Sequence, residues 1–205
     1  DRLIMADETG KIIDGDQILC CLALAMQERG ALAKDTVVGT VMTNCGLETR
    51  LGKAGIDLHR VAVGDRYILE KMRQDGLNLG GEPSGHMLMT DFARSGDGLL
   101  TALQMLTLLK TSGKKASTLF NSFLPNPQRL ENLHGIDPAI LQDKKLQSEL
   151  ANIEANLNGK GRVLVRPSGT ETLVRVMVEA ETEPLLNEAM NALILRIKTA
   201  SYSNN

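Results

Sequence analysis

The 205-residue chain has no tryptophan, two tyrosines and three phenylalanines, so aromatics make up only 2% of it. With 42% apolar residues, its interior must be aliphatic, packed by Leu, Val, Ala and Met. Cysteine is scarce as well. Cys20, Cys21 and Cys45 are odd in number and lack CxxC spacing, which argues against a disulfide framework or a zinc knuckle and fits a reducing cytoplasm. The longest apolar stretch, Ile18 to Met26, is far too short to span a bilayer, and the first residues lack the order of a signal peptide. A soluble intracellular protein is expected. Excess charge of one sign is also missing: 23 Lys and Arg are interspersed with 25 Asp and Glu. That balance speaks against nucleic acid and against an anionic membrane as partners, so any bound anion is small and locally gripped.

What is present is length for one large domain or two to three small ones, each with a real core. "RLIMAD" reads as a strand, "DETGK" as a hairpin-type turn at Gly10, and Asp14 or Asp16 as the cap of a helix reaching Arg29. Strand and helix patterns then alternate: "TVVGTVM", "GLETRLGKAG", "RVAVG", "YILEKMRQDG", "NLGGE", "HMLMTDF" and a long helix over about 96–111. Short β runs alternating with helices predict an α/β layer on a largely parallel sheet. "FLPNPQRLENLHGIDP" carries three prolines and reads as an interdomain connection plus an edge strand. Beyond it the order changes to a helix over about 138–157, two strands flanking one turn, and a helix over about 183–200. This predicts a separate α+β domain with a small antiparallel sheet. No internal repeat or low-complexity segment is present.

Three turns carry candidate chemistry. In "RVLVRPSGTETLVRV", Gly169 allows close backbone approach, Ser168 and Thr170 offer hydroxyls, and Arg166 and Arg175 offer forks that match phosphate oxygens. The alternative is a hairpin with a polar tip. In "GGEPSGH", Glu82 can accept from two neighbouring sugar hydroxyls and Ser84 can donate or accept, with His86 nearby; the alternative is a glycine-rich connection. In "VGDRY", Asp65 reads as a helix cap, and Arg66 beside a helix start makes a phosphate or hydroxyl site a second option. Asp97 is read as a cap only. Cys20 and Cys21 are read as packing, and His59 and His134 have no metal-ligand spacing to other residues.

"GEPSGH" followed about a domain's length later by "RPSGTE" resembles the α-D-phosphohexomutase family, and the likeness extends to "DRLIMADETGKIIDGDQI", "VGDRYILEKM" and "SGDGLLTALQ". The resemblance implies a four-domain parent of which this chain is the C-terminal part. Residues 1 to about 32 would end the second domain, about 33–122 form a mixed α/β third domain that binds sugar, and about 123–205 form a smaller TATA-box-binding-protein-like fourth domain that binds phosphate. The family's Mg2+ loop would be represented by its last aspartate, Asp1, and the following Arg2, with two preceding ligands missing. No serine here lies in the family's Ser-His-Asn-Pro context, so the phosphoserine is expected elsewhere and the chain alone is expected to be inactive. By the same resemblance Glu82 and Ser84 hold sugar hydroxyls, Arg166, Ser168, Gly169 and Thr170 grip the non-reacting phosphate, Arg175 assists, and Asp65, Arg66 and His86 join the substrate-binding set. Thr172 stands where the family often has proline, and Pro83 where it often has asparagine or glutamine. The expected substrate is a phosphorylated hexosamine, glucosamine 6-phosphate, ahead of the mannose and glucose 6-phosphates; a non-catalytic phosphosugar-binding module is the alternative from another class. A homodimer stays open.

Overall fold

Short polar residues decide where most helices begin. Asp14 caps α1 (Gly15–Glu28) by accepting from the Gln17 amide at 2.9 Å, and Asn44 caps α2 (Cys45–Gly52) by accepting from Gly46. α3 (Asp65–Asp75) differs, because its cap is Gly64 at φ +131° and no side chain closes it. Asp97 caps α4 (Gly98–Ser112), accepting from the Leu99 and Leu100 amides, and a single turn, α5 (Ala116–Leu119), follows. Asp65 is therefore not the cap expected from the sequence. It is the first helical residue, and its carboxylate accepts from the adjacent Arg66 amide at 2.7 Å.

The computed structural model describes residues 1–168 and 171–203, and the chain divides into two compact units, Asp1–Pro125 and Asn126–Asn205. In the first, β1 (Met5–Ala6) and β2 (Ile12–Ile13) form a two-stranded hairpin. The "RLIMAD" strand is shorter than expected because Asp7 draws the chain into the turn, accepting from the Thr9 amide and hydroxyl and the Lys11 amide. β3 (Thr36–Thr40), β4 (Asp57–Val61), β5 (Leu79–Gly81) and β6 (Met87–Met89) make one sheet in the order β4-β3-β5-β6. β3 runs parallel to β4 and β5, and β6 returns antiparallel.

Adjacent β3 residues face opposite sides of this sheet. Val37 joins Leu19, Leu47, Leu79 and Met105, whereas Val38 joins Ile68, Met72 and Leu88. Hence α1, α2 and α4 cover one face and α3 the other, a three-layer α/β/α arrangement. Phe120 seals the larger core, each such fully buried side chain being worth about 1.5–3 kcal/mol. α1 shares this core with β3 and β5, so residues 1–32 and 33–122 lie in one unit.

The second unit holds β7 (Gln128–His134), β8 (Gly161–Pro167) and β9 (Leu173–Ala180) in the antiparallel order β7-β9-β8. α6 (Lys144–Asn156) and α7 (Glu183–Ser203) pack with the sheet around one core. Val174, Val176, Val178 and Ala180 alternate into that core against Leu186, Met190, Leu193 and Ile197. The continuous helix expected over 138–157 is broken. A 3-10 turn over Pro138–Gln142 stops at Asp143, whose extended backbone and side chain restart the chain as the cap of α6, accepting from Leu146 at 2.8 Å. Among the described residues no helix is long and apolar enough to cross a membrane.

Candidate functional site

In the first unit, the loops that leave the C-terminal ends of β4 and β5 carry "VGDRY" and "GEPSGH", the end of a parallel sheet at which ligands of α/β proteins collect. Glu82 is buried and joins the two loops. Its Oε1 accepts from the Gly64 amide at 2.9 Å, and its Oε2 accepts from the Ser84 hydroxyl at 3.1 Å. Pro83 fixes the turn further, since its carbonyl accepts from Gly15 at the start of α1 at 3.0 Å. The N-terminal segment runs along the far side of the same loop, where Leu3 donates to Gly85 at 3.0 Å and Arg2 bridges His86. Gly85 has φ +89°, and a Cβ there would lie 2.1 Å from the Leu3 carbonyl, so both conformation and space demand glycine.

His86 is buried between two exposed carboxylates. Its Nδ1 is 3.3 Å from Asp1, and its Nε2 is 3.8 Å from Asp65, too far for a hydrogen bond. Gly96 leaves room for the ring, because a Cβ at that position would meet Nε2 at 2.2 Å. Arg66 points its guanidinium over the Tyr67 ring, 4.4 Å from the centroid, and donates to the Tyr67 hydroxyl. The residues expected from sequence in this unit, Asp1, Asp65, Glu82, Ser84 and His86, thus form one connected cluster, while Arg66 is engaged by its neighbour.

In the second unit, Arg166 on β8 stands directly opposite Arg175 on β9. Strand alternation puts both on the face away from the helices, since their neighbours Val165, Val174 and Val176 line the core. Like charges so placed repel. Burial first, and the Arg175 charge second, hold the Arg166 guanidinium below its ordinary value. Among the described residues compensation is slight: Glu171 reaches Arg175 at 3.9 Å, and the buried Arg175 Nε has no hydrogen bond. Ser168 closes the turn through its backbone, donating to the Leu173 carbonyl at 3.0 Å. Gly169 and Thr170 lie outside the described residues. This pair is an electropositive site that a small dianion would complete.

The residues present do not by themselves make a magnesium site. Mg2+ demands near-octahedral oxygen ligands, whereas Asp1 contributes one carboxylate already turned toward an imidazole. Among the described residues no three His, Cys, Asp or Glu side chains converge.

Family models match both units. The α/β/α domain III of phosphoglucomutase/phosphomannomutase matches residues 14–126, and the C-terminal domain of the same proteins matches residues 124–195. The chain belongs to the phosphoglucomutase/phosphomannomutase family of α-D-phosphohexomutases. Among individual relatives, it is 48% identical over 204 residues to phosphoglucosamine mutase of Paracoccus denitrificans, covering 98% of this chain and 45% of that protein. Phosphoglucosamine mutase of Halalkalibacterium halodurans is also 48% identical, over 94% of this chain and 43% of its own length. The chain therefore spans less than half the length of these curated relatives. Solved structures agree on the fold. N-acetylphosphoglucosamine mutase of Aspergillus fumigatus, in complex with GlcNAc-6P and magnesium, superposes with a TM-score of 0.80 at 17% identity, over 97% of this chain and 46% of that one. A phosphoglucomutase/phosphomannomutase family protein of Burkholderia thailandensis gives 0.77 at 22% identity, over 97% of this chain and 44% of its own.

Two features of the site were not foreseen. The bond from Gly64 to Glu82 links residues 18 apart and has no sequence signal. The apposition of Arg166 and Arg175 could have been counted out, because the two lie symmetrically about the turn that the sequence places between the strands.

Proposed function

We propose that this chain supplies the sugar-holding and phosphate-holding parts of a phosphoglucosamine mutase. In that reaction a phosphoserine outside these 205 residues gives its phosphoryl group to glucosamine 6-phosphate, the 1,6-bisphosphate reorients, and the other phosphate returns to serine, leaving glucosamine 1-phosphate. Atoms balance over the cycle because one phosphoryl group leaves the enzyme and one comes back. Glu82 and Ser84 hold sugar hydroxyls, Asp65, Arg66 and His86 border them, and Arg166, Ser168, Gly169, Thr170 and Arg175 grip the phosphate that is not reacting. By the resemblance, residues 1 to about 32 would end a preceding domain of the parent, with Asp1 as the last aspartate of its metal loop. A cytoplasmic role in amino-sugar supply for cell-wall precursors accords with three free cysteines.

The single observation that carries the reading is the opposed, nearly uncompensated Arg166 and Arg175, which cost stability unless an anion lies between them. The choice of hexosamine rests on the 48% identity to phosphoglucosamine mutases. Comparing turnover of glucosamine, mannose and glucose 6-phosphates by the protein that contains this chain tests that choice. Preference for a neutral sugar would replace the amino-sugar enzyme by a phosphomannomutase or phosphoglucomutase. The chain by itself binds phosphosugar without turnover; activity in a pure sample would overturn the assignment of the nucleophile to other residues.

A further inference from the structure

β7, β9 and β8 pair in continuous register, so their side chains fall into rows that cross the sheet. Asn132 on β7 stands opposite Arg175, which in turn stands opposite Arg166. Two residues further, His134 stands opposite Leu173, whose carbonyl accepts from Ser168. Between them Leu133 enters the core on the helical side, so alternation places Asn132 and His134 on the face that carries the two arginines.

We propose that Asn132 and His134 form the β7 wall of the anion clamp, so that a phosphate held by Arg166 and Arg175 also takes hydrogen bonds from the Asn132 amide and a His134 ring N–H. The inference rests on reading the arginine pair as the phosphate site. Directly opposed side chains in a sheet have Cβ atoms about 4.5–5.5 Å apart and diagonal neighbours about 7–8 Å apart, so a tetrahedral anion above Arg175 is within reach of both β7 residues. Both are exposed, and among the described residues neither side chain has a hydrogen-bond partner. Their chemistry also suits a row with two fixed positive charges. Asn132 adds a donor without adding charge, and His134 adds charge only when protonated. Directly opposite His134 is the apolar Leu173; the charged residues of the same rows are Arg175, diagonal to it on β9 and ion-paired with Glu171, and Arg166 one strand further. A bound dianion favours the protonated imidazole over the neutral one. By linkage, lower pH then favours binding.

Inorganic sulfate is the probe, because it stays doubly charged where phosphate changes charge. Its binding to the whole 205-residue chain is measured from amide chemical shifts, which also report the fold of each variant, at about pH 5.5 and about pH 8. The unmodified chain is expected to bind about fivefold tighter at the lower pH. His134→Gln should flatten that profile, Asn132→Ala should weaken binding about tenfold at both values, and Lys145→Ala on α6 should change neither. If Arg166→Gln loses sulfate while Asn132→Ala and His134→Gln bind like the unmodified chain at both pH values, the β7 wall is wrong and the arginine clamp survives. If Arg166→Gln also binds normally, the clamp itself is wrong and the inference falls with it.

Discussion

Replacing Arg166 with glutamine should make the second unit more stable and worse at binding anions, two effects of opposite sign from one change. Its guanidinium faces that of Arg175 across the sheet. At a charge separation of about 6 Å, Coulomb repulsion is about 0.7 kcal/mol in water and about 3 kcal/mol at an effective dielectric of 20. Both groups are partly exposed and Glu171 lies 3.9 Å from Arg175, so the lower end applies, in line with the roughly 0.2–1 kcal/mol typical of cross-strand charge pairs. Glutamine retains part of the aliphatic stem and removes the charge. A gain of about 0.5–1 kcal/mol follows, which is a melting shift of roughly 2–8 °C for a unit of this size. Binding moves the other way, because each charged hydrogen bond to a phosphate is worth about 1.5–3 kcal/mol, or about ten- to hundredfold in affinity. Thermal unfolding in low-salt buffer, with and without sulfate, reads both effects. Added sodium chloride should shrink the stability gain by screening. An Arg166→Gln protein that melts lower than the unmodified chain without anion would refute the repulsion on which the clamp is argued.

Three further outcomes are expected. Glu179 is wholly buried, and one of its oxygens accepts from Arg162 Nε and Nη2 at 2.8 Å each, so Glu179→Ala should cost about 3–5 kcal/mol in urea unfolding of the second unit; a loss under about 1 kcal/mol would mean that the pair is not desolvated. Burial pushes the Cys20 thiol up to about 12 and the Cys21 thiol up to about 11, so at about pH 8 a thiol reagent should label the folded chain only at part-exposed Cys45, and all three in urea; fast labelling of the α1 pair would contradict their burial. The Thr9 hydroxyl holds Asp7, the Ser117 hydroxyl holds Glu8 and the Lys71 ammonium holds Asp75 below the ordinary carboxylate range, so these groups stabilise the first unit above that range and the contribution is lost as pH falls through it. Unfolding of the first unit should be level above about pH 5 and easier below about pH 4, and Asp7→Asn and Asp75→Asn should each reduce the slope.

Most of the element order was legible because its causes are local. Asp14 and Asp97 cap the helices they precede, Gly10 turns the hairpin, and the switch from alternating strands and helices to a strand-rich end falls near Pro125, where the units part. The misplacements have physical reasons too. Asp143 looked like an interior residue of one long helix, yet its side chain bonds better to Leu146 than the helix ladder could use it, and the helix restarts there. Asp65 looked like a cap, but Gly64 at φ +131° reaches a backbone conformation that only glycine adopts easily, and the helix begins one residue earlier. Site residues were legible as types and not as partners. Sequence could offer Glu82 as an acceptor for sugar hydroxyls, but not that Gly64 and Ser84 already occupy both of its oxygens.

That occupancy sets the candidate site of the first unit apart from that of the second energetically. In the first unit Glu82, Ser84 and His86 are held by one another, by Gly64 and by Asp1, so any incoming hydroxyl would share or displace a bond that exists. Its net gain per contact is then small, near the roughly 1 kcal/mol of an exchanged hydrogen bond, and the loops gain rigidity instead. In the second unit Arg166 and Arg175 face each other with little compensation, so an anion relieves a strain as well as making contacts. Under the proposed function, affinity for a phosphosugar should accordingly reside mainly in its phosphate, and the sugar contacts should contribute orientation and discrimination. Phosphate affinity would then fall steeply with salt, while the preference among sugars carrying the same phosphate would not, because salt screens the guanidinium charges and leaves neutral hydroxyl contacts untouched.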